Sequence, residues 1–346
     1  GLSAVTSPRA LRAAAVGPGW LRDDVETLLS GTPGTARVGL EVEVLPMDAS
    51  TRRPIPPTER DRTPGGEGAR TLMPLLRAAL RDGPWHERPS PSGLTAFVSG
   101  AGGVLTFEPG GQLEYASTPS TSIDDLQAEL ESVWVPLARF LAAEGVELVA
   151  RGLDPWNDVE SAALHASGDR YRRMAVHYDR RGPWGRRMMR QSAALHVNID
   201  APGPAGEAWA VANAAAAPLL AIFANSPRVA GADAGVRSAR AAQWRRLDPT
   251  RTGIVWAGGD PREEYLAFAL GAHDFLNGDP ATPARPFRER AHAATREEWR
   301  RHLTTLFPEV RPRRYLELRS VDALPLAWTV APVAILAGLL FDPAAR

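Results

Sequence analysis

Four stretches of the chain alternate between apolar and polar residues, and this period-two pattern predicts strands with one buried and one polar face. The apolar positions are Val38, Leu40, Val42 and Val44; Leu105, Phe107, Leu113 and Tyr115; Leu195, Val197 and Ile199; and Leu316 and Leu318. The polar positions are Glu41 and Glu43; Thr106, Glu108, Gln112 and Glu114; His196, Asn198 and Asp200; and Tyr315, Glu317 and Arg319. If these strands share one sheet, the polar side chains converge on one of its surfaces.

The second stretch, LTFEPGGQLEY, is interrupted by Pro109, Gly110 and Gly111. Two consecutive glycines permit the positive φ values of a sharp turn, so the pattern predicts two short strands joined there. Glu108 and Glu114 then stand on either side of the turn.

The predicted polar surface is mainly acidic. Glu41 and Glu43 stand at positions i and i+2 on the same face of one strand. Two carboxylates about 4 Å apart repel by roughly 4 kcal/mol at an effective dielectric constant of ~20, so a cluster of them needs protons or cations. Oxygen ligands from Glu and Asp, with an occasional His or Asn, suit Mg²⁺ or Mn²⁺. We therefore favour a metal site over an ordinary solvated sheet face, which is the alternative interpretation.

Helical spacing of apolar residues predicts most of the remaining elements. The clearest helix begins after Ser122, whose hydroxyl can cap it, and ends at Gly145. Other predicted helical segments are 7–29, 71–81, 170–177, 208–223, 261–269 and 296–305, and further predicted strands are 95–98 and 146–149. Because helices and strands do not alternate as β-α-β units, the pattern favours an α+β fold over a doubly wound one.

Two segments need separate interpretation. Residues 48–69 are rich in Pro, Arg, Gly and Thr and predict a long loop, either a mobile cover or a disordered insertion. The apolar run 323–341 is interrupted by Pro325 and Pro332, so it predicts a buried helix pair rather than a membrane span.

Composition excludes several kinds of chemistry. The chain has 346 residues, enough for the single domain over 1–346 that we predict, and its 40 basic and 40 acidic residues cancel. We therefore expect no nucleic-acid or membrane partner. With 0 Cys, disulfides, zinc-thiolate sites and cysteine nucleophiles are excluded. All basic residues are Arg, so arginine, backbone N–H groups and metal ions must hold any phosphate.

Six longer strings point to a known family. They are GLEVEVLP, TFEPGGQLEYAS, MMRQSAALHVNID, FANSP, the DPTRTG run and HLTTLFPEVRPRRYLELRSVDALP. Together they resemble the plant-type glutamate–cysteine ligases, most of all a bacterial branch that supplies γ-glutamylcysteine for ergothioneine synthesis. The resemblance runs in order from about residue 38 to residue 342, nearly the whole chain.

The resemblance implies an ATP-dependent carboxylate–amine ligase with a mostly antiparallel sheet cradle, backed by helices and similar to that of glutamine synthetase. ATP would be the co-substrate and Mg²⁺, or Mn²⁺, the cofactor. Position by position, the metal ligands would be Glu41, Glu43, Glu108, Glu114 and Glu317. Glu317 and Arg319 would be catalytic, with Arg319 over the transferred phosphate.

The same matched stretches suggest residues that contact nucleotide and substrates. His196 and Asn198 are candidates on the nucleotide and metal side. Plant-type relatives tend to have Gln at the place of His196, so the alternative interpretation of His196 is a polar neighbour of the site. The arginine candidates for substrate carboxylates are Arg190 and Arg240, with Arg237 and Arg251 as alternatives. The other candidates for the substrate pocket are Gln112, Tyr171, Met174 and Trp244, of which the last three are equally compatible with core packing.

The expected partners are L-glutamate, L-cysteine and ATP, in a cytoplasmic monomer or weak homodimer. Glutamate would attack the γ-phosphorus of ATP, and the amine of cysteine would then displace phosphate. Three rival functions stay open: a γ-glutamyl ligase with another amine, a non-catalytic nucleotide or metabolite binder, and a metal-dependent hydrolase. Control by disulfides, which the plant enzymes use, is excluded by the lack of Cys.

Overall fold

A nine-stranded sheet is the main feature of the part of the chain that this computed structural model describes, residues 18–31, 34–58 and 70–346. Its strands are β1 (Val38–Asp48), β2 (Trp85–Pro89), β3 (Thr95–Ser99), β4 (Val104–Phe107), β5 (Leu113–Ala116), β6 (Val146–Val149), β7 (Ala194–Ile199), β12 (Val310–Pro312) and β13 (Leu316–Asp322). Their order is β12-β13-β7-β1-β5-β4-β3-β2, with β6 paired to the end of β1, and all neighbours are antiparallel. Two short ribbons stand apart from it, β8 (Arg228–Val229) with β9 (Ala232–Asp233) and β10 (Thr252–Gly253) with β11 (Phe307–Pro308).

Helices cover both faces of this sheet. They are α1 (Trp20–Leu29), α2 (Leu72–Leu80), α3 (Ile123–Ala143), α4 (Asp169–Asp179), α5 (Trp184–Gln191), α6 (Ala205–Ile222), α7 (Ala239–Leu247), α8 (Pro261–Gly271), α9 (Arg296–Leu303) and α10 (Ala331–Phe341). Helix α3 begins as predicted, since the Ser122 hydroxyl accepts a hydrogen bond of 3.1 Å from the Asp125 amide. The predicted α+β class, with an antiparallel sheet backed by helices, is confirmed.

The apolar face of the sheet forms the main core. Leu40, Leu105, Val197 and Leu318 are buried in one cluster with residues of α3, α6 and α10, such as Leu130. Because side chains alternate along a strand, this packing leaves the polar positions on the opposite face. Helices α4, α5 and α7 lie over that opposite face and contribute side chains to its cavity.

The C-terminal prediction needs a correction. Residues 323–341 do not form a helix pair but a single 3₁₀ turn, Leu326–Trp328, followed by α10. The two prolines explain this, because Pro325 starts the short turn and Pro332 occupies the first turn of α10, where its missing N–H costs nothing. No helix in the described ranges combines the length and apolar composition that a bilayer span requires. Parts of the predicted segments 7–29 and 48–69 fall outside the described residues.

Candidate active site

One half of the polar face gathers two carboxylates, an imidazole and an amide. In the strand register Glu41 stands opposite His196, and Glu317 stands opposite Asn198. His196 Nδ1 lies 2.9 Å from Glu41 Oε2 and 4.0 Å from Glu317 Oε1. Asn198 donates to the other oxygen of Glu41 at 3.1 Å. Ligand atoms of Glu41, His196 and Glu317 all lie within 4.8 Å of one another, so the three side chains can hold one metal ion.

Three arginines surround Glu317 in this half. Arg311 and Arg313 each place a guanidinium nitrogen 3.4 Å from Glu317 Oε2, and Arg319 donates to Oε1. Burial alone would raise the pKa of Glu317, but Arg311 and Arg319 hold it well below its usual range. We call Glu41, His196 and Glu317 with these arginines the arginine half of the site.

The imidazole of this half is neutral near pH 7. Burial and the positive charge of Arg319 lower the pKa of His196 to about 4. Burial would raise the pKa of Glu41, but the hydrogen bond from His196 keeps it lowered, so Glu41 is ionised and accepts the Nδ1 proton. A metal ion shared with Glu41 and Glu317 would take the place of this Nδ1 proton, whereas the Nε2 atom of His196 faces Glu43 Oε1 at 4.0 Å.

The other half of the surface, which we call the acidic half, consists of Glu43, Glu108 and Glu114. Glu43 stands directly opposite Glu114 across β1 and β5, a pairing of like charges that destabilises a sheet. Glu108 follows β4 and lines the same cavity. Glu43 accepts a 2.8 Å hydrogen bond from the Ala194 amide, and Thr106 donates to Glu114 at 3.3 Å.

Protons are held in the acidic half by burial and mutual repulsion. Burial and the charge of Glu108 raise the pKa of Glu43 to about 8. Burial and the charges of Glu108, Glu41 and Glu43 raise the pKa of Glu114 well above its usual value. Burial also raises the pKa of Glu108, although Arg170 opposes this shift. The raised pKa values show that Arg170, Arg240 and Arg319 do not fully balance these carboxylates, so the set fits divalent metal ions, which would replace those protons.

A cavity of about 290 Å³ lies over both halves. Its floor is the polar sheet face, and its walls come from α4, α5, α7 and the segment 304–313. Predicted site residues that line it are Glu41, Glu43, Glu108, Gln112, Glu114, Tyr171, Met174, His196, Arg240, Trp244, Glu317 and Arg319. Separate segments of the chain therefore bring most of the predicted site residues together, while their roles stay predictions.

The remaining predicted residues lie outside the lining. Arg190 donates to the Ala162 carbonyl at 3.1 Å, and Arg237 is exposed. Arg251 is fully buried and bonded to Asp248, so it is part of the protein's internal packing. Asn198 does not line the cavity, but its amide donates to Glu41 there.

Gln112 lines the cavity, but its amide is committed to the protein. Its oxygen accepts from the Gly110 amide at 2.8 Å, and its nitrogen donates to the Met189 and Ser192 carbonyls at 3.3 and 2.8 Å. A Cβ on Gly110 would collide with the Arg190 backbone, and Gly111 has a φ of +87°. The PGGQ string thus ties the turn between β4 and β5 to α5.

Sequence reasoning missed four prominent residues of the cavity. They are Arg170, Phe307, Arg311 and Arg313. The sequence does contain a pattern that indicates two of them, because Arg311 and Arg313 alternate with Val310 and Pro312 just before β13. In the structure, the hairpin of β12 and β13 sets Arg311 opposite Glu317. Proline is normally excluded from strand interiors, but β12 is an edge strand, where proline is tolerated.

A larger cavity of about 720 Å³ lies between α4 and residues 274–290. Its arginines are already satisfied within the protein: Arg173 donates to Asp169 and the Gly278 carbonyl, and Arg180 donates to the Thr282 carbonyl. The carboxylate site, with its unmatched charges, is therefore the better candidate for chemistry.

The fold is an antiparallel sheet backed by helices, and one sheet face brings together carboxylates, which suit divalent cations, and arginines, which suit phosphate groups. The chain belongs to the glutamate–cysteine ligase family 2 (GCS2), whose sequence profile matches residues 37–346. The family predicted from the motifs is confirmed.

Relatives within the family are similar along most of this chain. The glutamate–cysteine ligase EgtA of Mycolicibacterium smegmatis is 35% identical over 283 residues, which cover 75% of this chain and 66% of that protein. The chloroplastic glutamate–cysteine ligase of Medicago truncatula is 27% identical over 348 residues, covering 93% and 64%. The chain thus spans somewhat less than two thirds of the length of these relatives. Among solved structures, a bifunctional glutathione synthetase from Pasteurella multocida shares 13% identity at a TM-score of 0.46, covering 94% of this chain and 40% of that one.

Proposed function

We propose that this chain is the catalytic domain, over 1–346, of an ATP-dependent ligase that joins the γ-carboxylate of L-glutamate to the amine of L-cysteine. The products would be γ-glutamylcysteine, ADP and phosphate. The main support is the meeting of five glutamates from separate segments beside Arg319 in one cavity. The names of the relatives agree with this activity.

The chain's own residues supply positioning and charge. Divalent cations, Mg²⁺ or Mn²⁺, would be held by the five glutamates and His196, and when bound would neutralise charge on phosphate oxygens. Arg319, Arg311 and Arg313 add a fixed positive field beside Glu317 where the transferred phosphoryl group would lie. Because phosphoryl transfer needs positioning rather than a covalent intermediate on the protein, the lack of Cys and Lys is no obstacle.

The reaction would proceed in two steps. A γ-carboxylate oxygen of glutamate forms a bond to the γ-phosphorus of ATP as the bond to ADP breaks, giving γ-glutamyl phosphate. The amine nitrogen of cysteine then attacks the acyl carbon, phosphate leaves, and the amine loses a proton. The cavity walls would exclude water, which otherwise competes with the amine for the acyl phosphate.

The test measures ADP release by the purified chain with Mg²⁺, ATP and glutamate, with and without cysteine, and identifies products by mass spectrometry. We expect γ-glutamylcysteine and ADP in equal amounts, and strong loss in Glu108→Gln. The exposed Glu131→Gln is a matched control expected to retain activity. ADP release that is independent of any amine would contradict the proposal, and water as the sole acceptor would indicate a hydrolase.

We propose Mg²⁺ as the working cation, a cytoplasmic location, and a monomer or weak homodimer. A link to ergothioneine synthesis rests on the similarity to EgtA.

A further inference from the structure

Asp322, the last residue of β13, has a fully buried carboxylate that joins separate segments of the chain. Its Oδ2 atom accepts hydrogen bonds from the Asn225 amide at 2.8 Å and the Ser226 hydroxyl at 2.7 Å, both in the FANSP string after α6. Its Oδ1 atom accepts a 3.0 Å hydrogen bond from the hydroxyl of Ser238, which caps the N-terminus of α7. Gly152 leaves room for this carboxylate, because a Cβ there would lie 2.4 Å from its carbon atom. Asp322 therefore fixes the connection between α6 and α7 to the end of β13.

Arg240, in the first turn of α7, connects this carboxylate with the active site. Its Nη1 atom lies 3.6 Å from Asp322 Oδ1, and its backbone N–H donates to the Ser226 hydroxyl at 3.2 Å. The guanidinium also donates to the carbonyls of Arg319 and Ser320 at 2.9 and 3.3 Å. Only 3% of Arg240 is exposed, and a buried guanidinium needs a counter-charge, which Asp322 supplies.

Strand β13 has a bulge at the two residues whose carbonyls Arg240 binds. The pairing of β13 with β7 shifts by one residue between Leu318 and Val321, so Arg319 and Ser320 together stand opposite one residue of β7. The shift places both Leu318 and Val321 in the core, although they are three residues apart. A bulge interrupts the ladder, so its buried carbonyls need other donors, and Arg240 provides them. Bulges beside active sites redirect a side chain, and here Arg319 lines the cavity.

The contacts thus run from Asp322 through Arg240 and the bulge to Arg319. Asp322 does not line the active-site cavity, so any effect on the reaction must pass through residues that do. Such positioning can matter greatly, because a misplacement of about 1 Å can cost roughly 10²-fold in rate.

We propose that Asp322 is a positioning residue for phosphoryl transfer. Through Arg240 it holds the bulge of β13 in the geometry that directs Arg319 at the transferred phosphate. The inference rests on the proposed ligase function.

The first test separates kcat from KM. Asp322→Asn replaces one acceptor oxygen by an NH₂ group that faces hydrogen-bond donors, so Arg240 and the bulge should shift. We expect kcat for glutamate- and cysteine-dependent ADP release to fall roughly 10²-fold, while the KM for ATP stays unchanged. Thermal unfolding shows whether the variant is folded, and an unchanged kcat in the folded variant would overturn the inference.

Asp154→Asn is the matched control for this test. Asp154 is also buried, with 1% of it exposed, but it accepts hydrogen bonds from the amides of its own turn, Trp156 and Asn157, at 2.9 and 3.1 Å. Loss of a buried carboxylate at this place should leave kcat as in the parent chain.

The second test is a double-mutant cycle with Arg319→Lys, which keeps the charge but removes the planar guanidinium. If Asp322 acts through Arg319, Asp322→Asn should cost much less kcat in the Arg319→Lys chain than in the parent chain. A purely structural role would give the same loss in both, so losses that agree within about twofold, the precision to which independent sites add, would overturn the inference.

Ser226→Ala keeps the cycle usable if Asp322→Asn does not fold. It removes only a hydroxyl, which both donates to Asp322 and accepts from the Arg240 amide, so it should show the same coupling with Arg319→Lys at a smaller loss. Additive losses would overturn the inference here as well. The parent chain is measured first, because the absence of amine-dependent ADP release there would overturn the ligase function itself, whereas additive losses in an active enzyme would overturn only the role of Asp322.

Discussion

The arginine half and the acidic half of the site are adjacent on one sheet face but solve the problem of buried charge differently. In the arginine half, Glu317 is surrounded by three guanidinium groups, and its pKa lies well below the usual range because they outweigh its burial. In the acidic half, burial and neighbouring carboxylates raise the pKa of Glu43 to about 8, and that of Glu114 is raised as well.

The difference predicts which half would depend on added cations. The arginine half is electrically balanced by the chain itself, so it can fold with its carboxylates ionised. The acidic half has no such balance, so it holds protons that the proposed metal ions would replace. The two halves should therefore respond in opposite ways when a charge is removed.

The largest effect is expected for Glu317→Ala. It would leave Arg311, Arg313 and Arg319 without their shared carboxylate in a buried site, and breaking a buried pair in this way costs about 3–5 kcal/mol. Urea unfolding of the metal-free protein measures the loss, and ADP release measures the expected abolition of turnover. The exposed pair of Arg77 with Glu87, 2.8 Å apart, provides the control, since Glu87→Ala should cost only about 0–1 kcal/mol. Equal costs for both variants would remove the distinction between the halves.

Glu114→Gln should act in the opposite direction on stability. It removes one of several mutually repelling carboxylates, so the metal-free protein should be as stable as the parent or more stable. Activity should fall by roughly 10²–10³-fold, the scale for losing one preorganised electrostatic group. Calorimetric titration with Mn²⁺ should show weaker binding. A clear destabilisation of the metal-free protein would show that the acidic half is not under electrostatic stress.

Gln112→Leu tests how the acidic half is positioned. The substitution removes the three hydrogen bonds that join Gly110, Met189 and Ser192 through one amide. Leaving such buried groups unpaired costs about 1–3 kcal/mol. We expect the free energy of unfolding to fall by the same amount and metal binding to weaken. A higher ATP concentration should restore neither of them. Full Mn²⁺ affinity in the variant would indicate that the turn keeps its geometry without this amide.

The polar surface could be predicted from the sequence because period two is a local signal. Once β1, β5, β7 and β13 share a sheet, alternation alone places Glu41, Glu43, Glu114, His196 and Glu317 on one face. Chain order does not reveal which strands are neighbours, so the split into two halves could not be predicted. That split depends on the register of Arg311 opposite Glu317 and of Glu43 opposite Glu114.

The roles of individual polar residues were harder to predict. Gln112 has the sequence position of a ligand-binding residue, but its hydrogen-bonding capacity is used by backbone groups from α5 and the turn. Arg251 lies in a matched motif and is nonetheless buried against Asp248. Residue type and spacing show that a side chain can bind a ligand, whereas its hydrogen-bond partners depend on contacts between distant segments.

The smallest predicted effect is a pH dependence of the stabilisation by Mg²⁺, which can be measured in the unmodified chain and which distinguishes the two halves. The pKa of Glu43 is about 8 in the folded chain and near 4.5 for an exposed carboxyl group, so the folded chain binds this proton more tightly than the unfolded chain does. The resulting stabilisation of the metal-free protein is complete below about pH 4.5 and is lost as pH rises through about 8. The pKa of Glu317 is lowered on folding, so the stabilisation from its ionised form has the opposite pH dependence. That stabilisation is lost only as pH falls below the ordinary carboxyl range, outside this window.

Saturating Mg²⁺ should therefore raise Tm more at pH 8.5 than at pH 6, by a few degrees, since about 1 kcal/mol corresponds to roughly 2–4 °C in a large domain. Glu114→Gln should reduce this pH dependence and Glu131→Gln should not. An identical Mg²⁺-induced rise at both pH values would mean that cations do not replace protons in the acidic half.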